Sequence, residues 1–239
     1  MHRVEHIMGM PIVVEVRDDG VEPDALDEMF AWFRWVDATF STYKPASEIS
    51  RIAFGELDVA DAHPDVQWVL ERCEQLSTET RGYFSAYAAG QLDPSGLVKG
   101  WSVDRAAELL DAAGMREYAI NAGGDVRVKG AWRVGIQHPL ERKAVAQVLD
   151  AEDLAVATSG EYLRGEHVLD PHTRRPPEGI LSVTVTGPDL ATADAYATAA
   201  FAMGARLAPH WLARLRGYES MIILSDERVL STPSLRCAA

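Results

Sequence analysis

The 239-residue sequence has only two cysteines, Cys73 and Cys237. Two thiols cannot build a disulfide framework, and no CxxC pair offers a zinc site. Cys73 falls among the apolar positions of an amphipathic stretch and reads as a small buried hydrophobe. Basic residues are also scarce: 23 Lys and Arg stand against 36 Asp and Glu, for a net charge of -13 at pH 7. That balance argues against nucleic-acid binding and against docking on anionic membranes. A phosphate-bearing ligand would need its charge met locally, by a metal or by a few placed cations. No run of apolar residues is long enough to cross a bilayer, so no membrane insertion is expected. The first apolar run, residues 7–14, contains Gly9 and Pro11, stops at Glu15 and is followed by no small-residue cleavage site. It reads as a strand rather than a signal peptide, which makes the cytoplasm the expected compartment.

What is present fits a folded chain. Apolar residues make up 47% and charged residues 25%, enough for one domain over residues 1–239, with room for two lobes. The pattern predicts strands at 12–17, 118–121, 145–149, 154–157, 167–169 and 181–186. It predicts helices opened by Pro23 and Pro64, a short helix from about Ser47, and helices at 101–113 and 192–203. Residues 126–128 and 132–136 suggest a hairpin about Lys129-Gly130, and 221–224 with 228–230 a closing one. Residues 82–100, rich in Gly, Ser, Ala and Pro, read as a loop. Helices and hairpins mix without strict βαβ alternation, which predicts an α+β fold with a largely antiparallel sheet.

Five segments could carry chemistry. The first, Asp93-Pro94-Ser95-Gly96-Leu97-Val98-Lys99-Gly100, combines glycines that permit close backbone approach, a lysine and a following helix N-terminus. Its spacing matches neither a P-loop nor a dinucleotide fingerprint, and a tight turn with a solvated lysine explains it as well. In the second, Gly123 and Gly124 offer amides to a phosphate, although a plain turn is the simpler reading. The third holds Thr158 and Ser159 beside Gly160; such hydroxyls grip phosphate or ribose, or form a cap or turn. The fourth, His167 to Thr173, contains a histidine able to act as a general base or to serve structure alone. The fifth places Asp194 and Thr198 four residues apart among alanines, one helical turn above each other. A carboxylate with a hydroxyl suits a hard cation such as magnesium, while an Asp near a helix N-terminus is also favoured by the dipole alone.

Together and in order, MGMPIVVEV, FSTYKPASEISRI, DPSGLVKGWSVDRAAELL, YAINAGGDV, ATSGEY, HVLDPHT and TADAYATAAFAMG resemble the FAD:protein FMN transferase family, also called the ApbE family. The resemblance runs from residue 8 to about 204. It implies a T-fold-like architecture and the magnesium-dependent transfer of FMN from FAD to a Thr or Ser hydroxyl of an acceptor flavoprotein, with release of AMP. It implies metal ligands at Asp194, Thr198 and the Gly96 carbonyl, with magnesium, or manganese, as the ion. Asp93 and Lys99 match nucleotide contacts, Met8 and Tyr43 match the flavin lining, and His167 matches the base that activates the acceptor. Arg174 stands where the family often has glycine, and the 82–93 stretch is short, which implies a more open flavin pocket. An FAD pyrophosphatase giving FMN and AMP, and a non-catalytic flavin-binding protein, are the alternatives.

Overall fold

The computed structural model describes residues 1–19, 23–88, 90–141, 143–160 and 168–238. The chain starts with a hairpin, β1 (His2–Ile7) and β2 (Met10–Val16). Ile7 pairs with Met10, so Met8 and Gly9 form a two-residue turn with φ of +55° and +72°. Two left-handed residues give the turn whose twist matches that of paired strands. The 7–14 run expected as one strand is therefore two strands across this turn.

Along β2, Met10, Ile12, Val14 and Val16 are buried while the residues between them face the other way, the two-residue period of a strand. Helix α1 (Pro23–Phe40) buries Leu26, Met29, Phe30, Phe33, Val36 and Phe40, the apolar stripe its sequence spacing predicts. Next come α2 (Glu48–Ala53), capped by the Ser47 side chain on the Ser50 amide, and α3 (Pro64–Glu79). Helix α4 spans Ser95–Ala112, so the last six residues of the expected 82–100 loop are helical. Glycine lowers helix propensity, yet Gly100 is needed here: a Cβ on it would lie 2.4 Å from the Leu190 carbonyl oxygen of the next helix.

Strands β3 (Tyr118–Ala122) and β4 (Asp125–Lys129) form a second hairpin about Gly123 and Gly124, again with both φ positive. Strands β5 (Ala131–Gln137) and β6 (Val145–Glu152) form a separate two-stranded sheet, with a single bridge from Leu149 to Cys237. The hairpin expected about Lys129-Gly130 is thus absent: β4 pairs with β3 and β7 (Ala155–Gly160), and β5 leaves the sheet. After β8 (Ile180–Gly187), helix α5 (Leu190–Leu212) is interrupted at Gly204, whose φ of 67° is not helical. Strands β9 (Glu219–Leu224) and β10 (Val229–Ser231) close the fold as expected.

The result is α+β: an eight-stranded sheet in the order β1-β2-β3-β4-β7-β8-β9-β10, antiparallel at every pairing. The main core fills the space between one sheet face and α1, α3, α4 and α5. A smaller one lies between the other face and the β5–β6 hairpin, around Val128, Trp132, Leu149 and Ile223. Among the described residues no helix is long and apolar enough to cross a membrane. Residues 168 and 169 are not in a strand, contrary to the expectation for 167–169, and His167 itself lies outside the described residues.

Candidate active site

Antiparallel pairing brings the two positive-φ turns to the same end of the sheet: β2 starts where β3 ends, with Ile12 opposite Ala122. The end of β7 arrives beside β4, where the Thr158 amide donates to Asp125 Oδ1 over 2.9 Å. The first turn of α4 and the second turn of α5 approach from the helical side. These pieces enclose a cavity of about 820 Å³, within the size range of small-molecule sites. Met8, Tyr43, Asp93, Gly96, Lys99, Gly123, Thr158, Ser159, Asp194 and Thr198 all line it. Gly124 does not; it borders a neighbouring cavity of about 400 Å³. His167 lies outside the described residues, and the loop just after it contributes Val168 and Leu169 to the cavity wall.

Lys99 sits at the electrostatic centre. Its ammonium is 2.5 Å from Asp125 Oδ2 and 3.5 Å from Asp194 Oδ1. Contact with Asp125 Oδ2 is one of charge rather than an aligned hydrogen bond, since that oxygen has no hydrogen-bond partner. Asp194 is 3% exposed, and its Oδ2 is buried with no partner. Burial pushes its pKa up; the Lys99 charge opposes this, and the Asp125 carboxylate adds to it. A buried carboxylate oxygen left bare costs free energy unless something positive meets it. One turn along α5, Thr198 presents its hydroxyl 3.3 Å from Ser159 Oγ.

These donors fit a hard cation. Among the described residues no group of three His, Cys, Asp or Glu side chains could hold a metal. Any ion at Asp194 must complete its shell with hydroxyl, carbonyl or substrate oxygens, as magnesium does. At Gly96 a side chain would crowd the Phe84 ring, which lies 3.2 Å from where a Cβ would stand, so glycine lets the ring and the backbone close together. The Gly123 and Gly124 amides, by contrast, are already engaged: they donate to the Pro11 carbonyl at 3.3 Å and to Asn121 Oδ1 at 3.0 Å. They make a plain turn rather than an anion nest. Gly123 still matters by shape, because a Cβ on it would lie 2.7 Å from the Met10 sulfur. Thr158 and Ser159 end a strand instead of capping a helix.

Sequence reasoning missed Asp125 as a site residue, although it is 2% exposed and paired with Lys99. Its signal was its place directly after Gly123-Gly124, where a strand end meets a ligand cavity. Also missed was the rim formed by Asp37 and Lys44, which pair at 2.5 Å near Tyr43. Tyr43 itself is 95% exposed, an aromatic face held out at the cavity's edge.

A family model described as the ApbE family matches residues 8–90 and 85–222. The chain is 30% identical over 203 residues to an FAD:protein FMN transferase of Vibrio cholerae serotype O1, which covers 70% of this chain and 61% of that protein. It is 36% identical over 165 residues to the enzyme of the same name from Rhodobacter capsulatus, covering 64% of this chain and 32% of that one. It therefore spans less than two thirds of these curated relatives' own length. Among solved structures, an ApbE protein from Thermotoga maritima superposes with a TM-score of 0.84 at 20% identity, over 98% of this chain and 97% of the other. That likeness extends to the fold.

Proposed function

The chain belongs to the ApbE family, and on that premise we propose that it transfers FMN from FAD to a Thr or Ser hydroxyl of an acceptor flavoprotein. Its relatives from Vibrio cholerae and Rhodobacter capsulatus are FAD:protein FMN transferases, which supports the reaction. The single observation in this chain that carries the reading is Asp194 Oδ2, buried and without a partner in a cavity of about 820 Å³ that Lys99 also enters.

In the proposed step, the acceptor hydroxyl oxygen attacks the FMN phosphorus of FAD. A new phosphoester bond forms as the bond to the bridging pyrophosphate oxygen breaks, and AMP leaves with that electron pair. The hydroxyl proton passes to a base, the role we give to His167 by its family resemblance. Phosphoryl-type transfer needs positioning and charge neutralisation more than covalent help from the enzyme. Asp194, Thr198 and the Gly96 carbonyl would hold magnesium, or manganese, which when bound neutralises pyrophosphate charge. Lys99, held between Asp125 and Asp194, supplies a fixed cation for a phosphate oxygen. Met8 and Tyr43 offer apolar and aromatic surface for the isoalloxazine, and Asp93, Thr158 and Ser159 offer polar contacts to the nucleotide.

The test is incubation of the protein with FAD, magnesium and a candidate acceptor, followed by intact-protein mass and nucleotide chromatography. The expected result is an FMN-sized mass gain on the acceptor with AMP released in step. Free FMN plus AMP without mass gain on any acceptor would make the protein a pyrophosphatase. Intact FAD would make it a flavin-binding protein.

A further inference from the structure

Two walls of the cavity come from distant parts of the chain. One is Tyr83, Phe84 and Ser85, after α3; the other is Val168 and Leu169. Both are tied to His172, a side chain with no role so far. Residues 170–175 form a tight turn. Asp170 accepts from the His172 amide at 2.9 Å and from the Thr173 hydroxyl at 3.0 Å. Its carbonyl accepts from the Arg174 amide at 2.7 Å, and its own amide donates to the Arg175 carbonyl at 2.9 Å.

This turn carries the His172 ring onto the other wall. Its Nε2 is 3.0 Å from the Arg81 carbonyl oxygen. A carbonyl only accepts, so Nε2 carries the proton and donates it. The ring also meets Tyr83 edge-on, with centroids 4.6 Å apart and planes at 73°. It lies 3.2 Å from where a Cβ on Gly82 would stand, so glycine there makes room for it. Arg81 and Gly82 are consecutive left-handed residues, with φ of 57° and 82°. Such a conformation is strained for arginine and persists only where its surroundings hold it. His172 holds the strained carbonyl itself, and the bend so fixed is the one that turns Tyr83 into the cavity wall.

We propose that His172 is a positioning residue: it latches the Arg81–Tyr83 bend to the Val168–Leu169 wall and thereby fixes the cavity in its FAD-binding shape. The proposal rests on the reading that this cavity takes FAD. The ring itself is exposed and does not line the cavity, so its effect on FAD would run through Tyr83.

The experiment measures FAD affinity by quenching of flavin fluorescence, together with kcat for acceptor flavinylation, in the full chain with magnesium. His172→Ala loses the hydrogen bond and the ring contact, and FAD binding is expected to weaken roughly tenfold. At saturating FAD, kcat is expected to stay within about twofold, since the latch touches no reacting group. His172→Gln keeps a nitrogen donor at similar reach and is expected to recover part of the FAD affinity with kcat unchanged, the split between Kd and kcat that a general loss of folding would not show. A wild-type Kd in His172→Ala overturns the latch while leaving the FAD site standing. Failure of the wild-type protein to bind FAD overturns the site reading, and the latch with it.

Discussion

At Arg174 the backbone has φ of 57°, the conformation that glycine adopts without penalty and that costs another L-residue roughly 1–2 kcal/mol. Arginine holds this turn at the cost of that strain. Arg174→Gly is therefore expected to stabilise the protein by up to about 1 kcal/mol, the gain being trimmed by glycine's larger unfolded-state entropy. Urea unfolding checks this; a loss of stability would mean that the guanidinium makes a contact outweighing the strain. Asp194 poses the opposite balance. Its bare, buried Oδ2 weakens the apoprotein, and Asp194→Asn removes a charge that burial disfavours. We expect that variant to unfold at the same or a higher temperature without metal, yet to lose transfer by at least about a hundredfold. Transfer at the wild-type rate would remove Asp194 from the metal site.

Between elements, α4 packs backbone to backbone against the start of α5. A Cβ on Gly100 would stand 2.4 Å from the Leu190 carbonyl oxygen and 2.8 Å from the Ala191 Cα. Both are backbone atoms, so Gly100→Ala must push the helices apart, and we expect about 3 kcal/mol of destabilisation. An unchanged Tm would show that the two helices slide freely. The same junction carries a pH signature. Asp104, on α4, accepts from the Leu190 and Ala191 amides at 2.9 and 2.8 Å, capping α5 from outside. Burial raises its pKa to about 6, despite those two hydrogen bonds. An acid whose folded pKa lies above its unfolded value binds its proton first in the native state. Between about pH 6 and pH 4 this group therefore adds stability as pH falls, by on the order of 3 kcal/mol, and the addition is lost as pH rises. Asp104→Asn has no such slope, and the difference between its Tm–pH curve and that of wild type is the measurement. Elements like α1 were legible because their apolar residues recur at helical spacing. The start of α4 was not: Gly96 and Gly100 read as loop, and the need for Gly100 lies in a helix about 90 residues away. The false hairpin at Lys129-Gly130 arose likewise, because nothing local reveals that β4 pairs with β7 while β5 turns to β6.

For the molecule as a whole, the candidate site was more legible than the fold that builds it. Each motif was weak alone, but ten residues singled out along the sequence line one cavity; Asp125 escaped because its role depends on Lys99 arriving from another element. That convergence leads to a prediction about binding. The chain carries a net charge of -13, and two buried carboxylates, Asp125 and Asp194, share one lysine at the cavity. An FAD pyrophosphate brought there alone meets like charge from Asp194; magnesium brought alone finds few protein ligands. Each ligand supplies what the other lacks, so the two should bind cooperatively, and linkage requires the effect to be reciprocal. Thermal unfolding with FAD, with magnesium and with both is expected to show a combined shift larger than the sum of the separate ones, with a coupling of about 1–3 kcal/mol. In Asp194→Asn the excess should vanish while the shift from FAD alone stays or grows, because the repelling charge is gone. Additive shifts in the wild-type protein would separate the metal from the FAD pyrophosphate and leave Lys99 as its principal partner in this site.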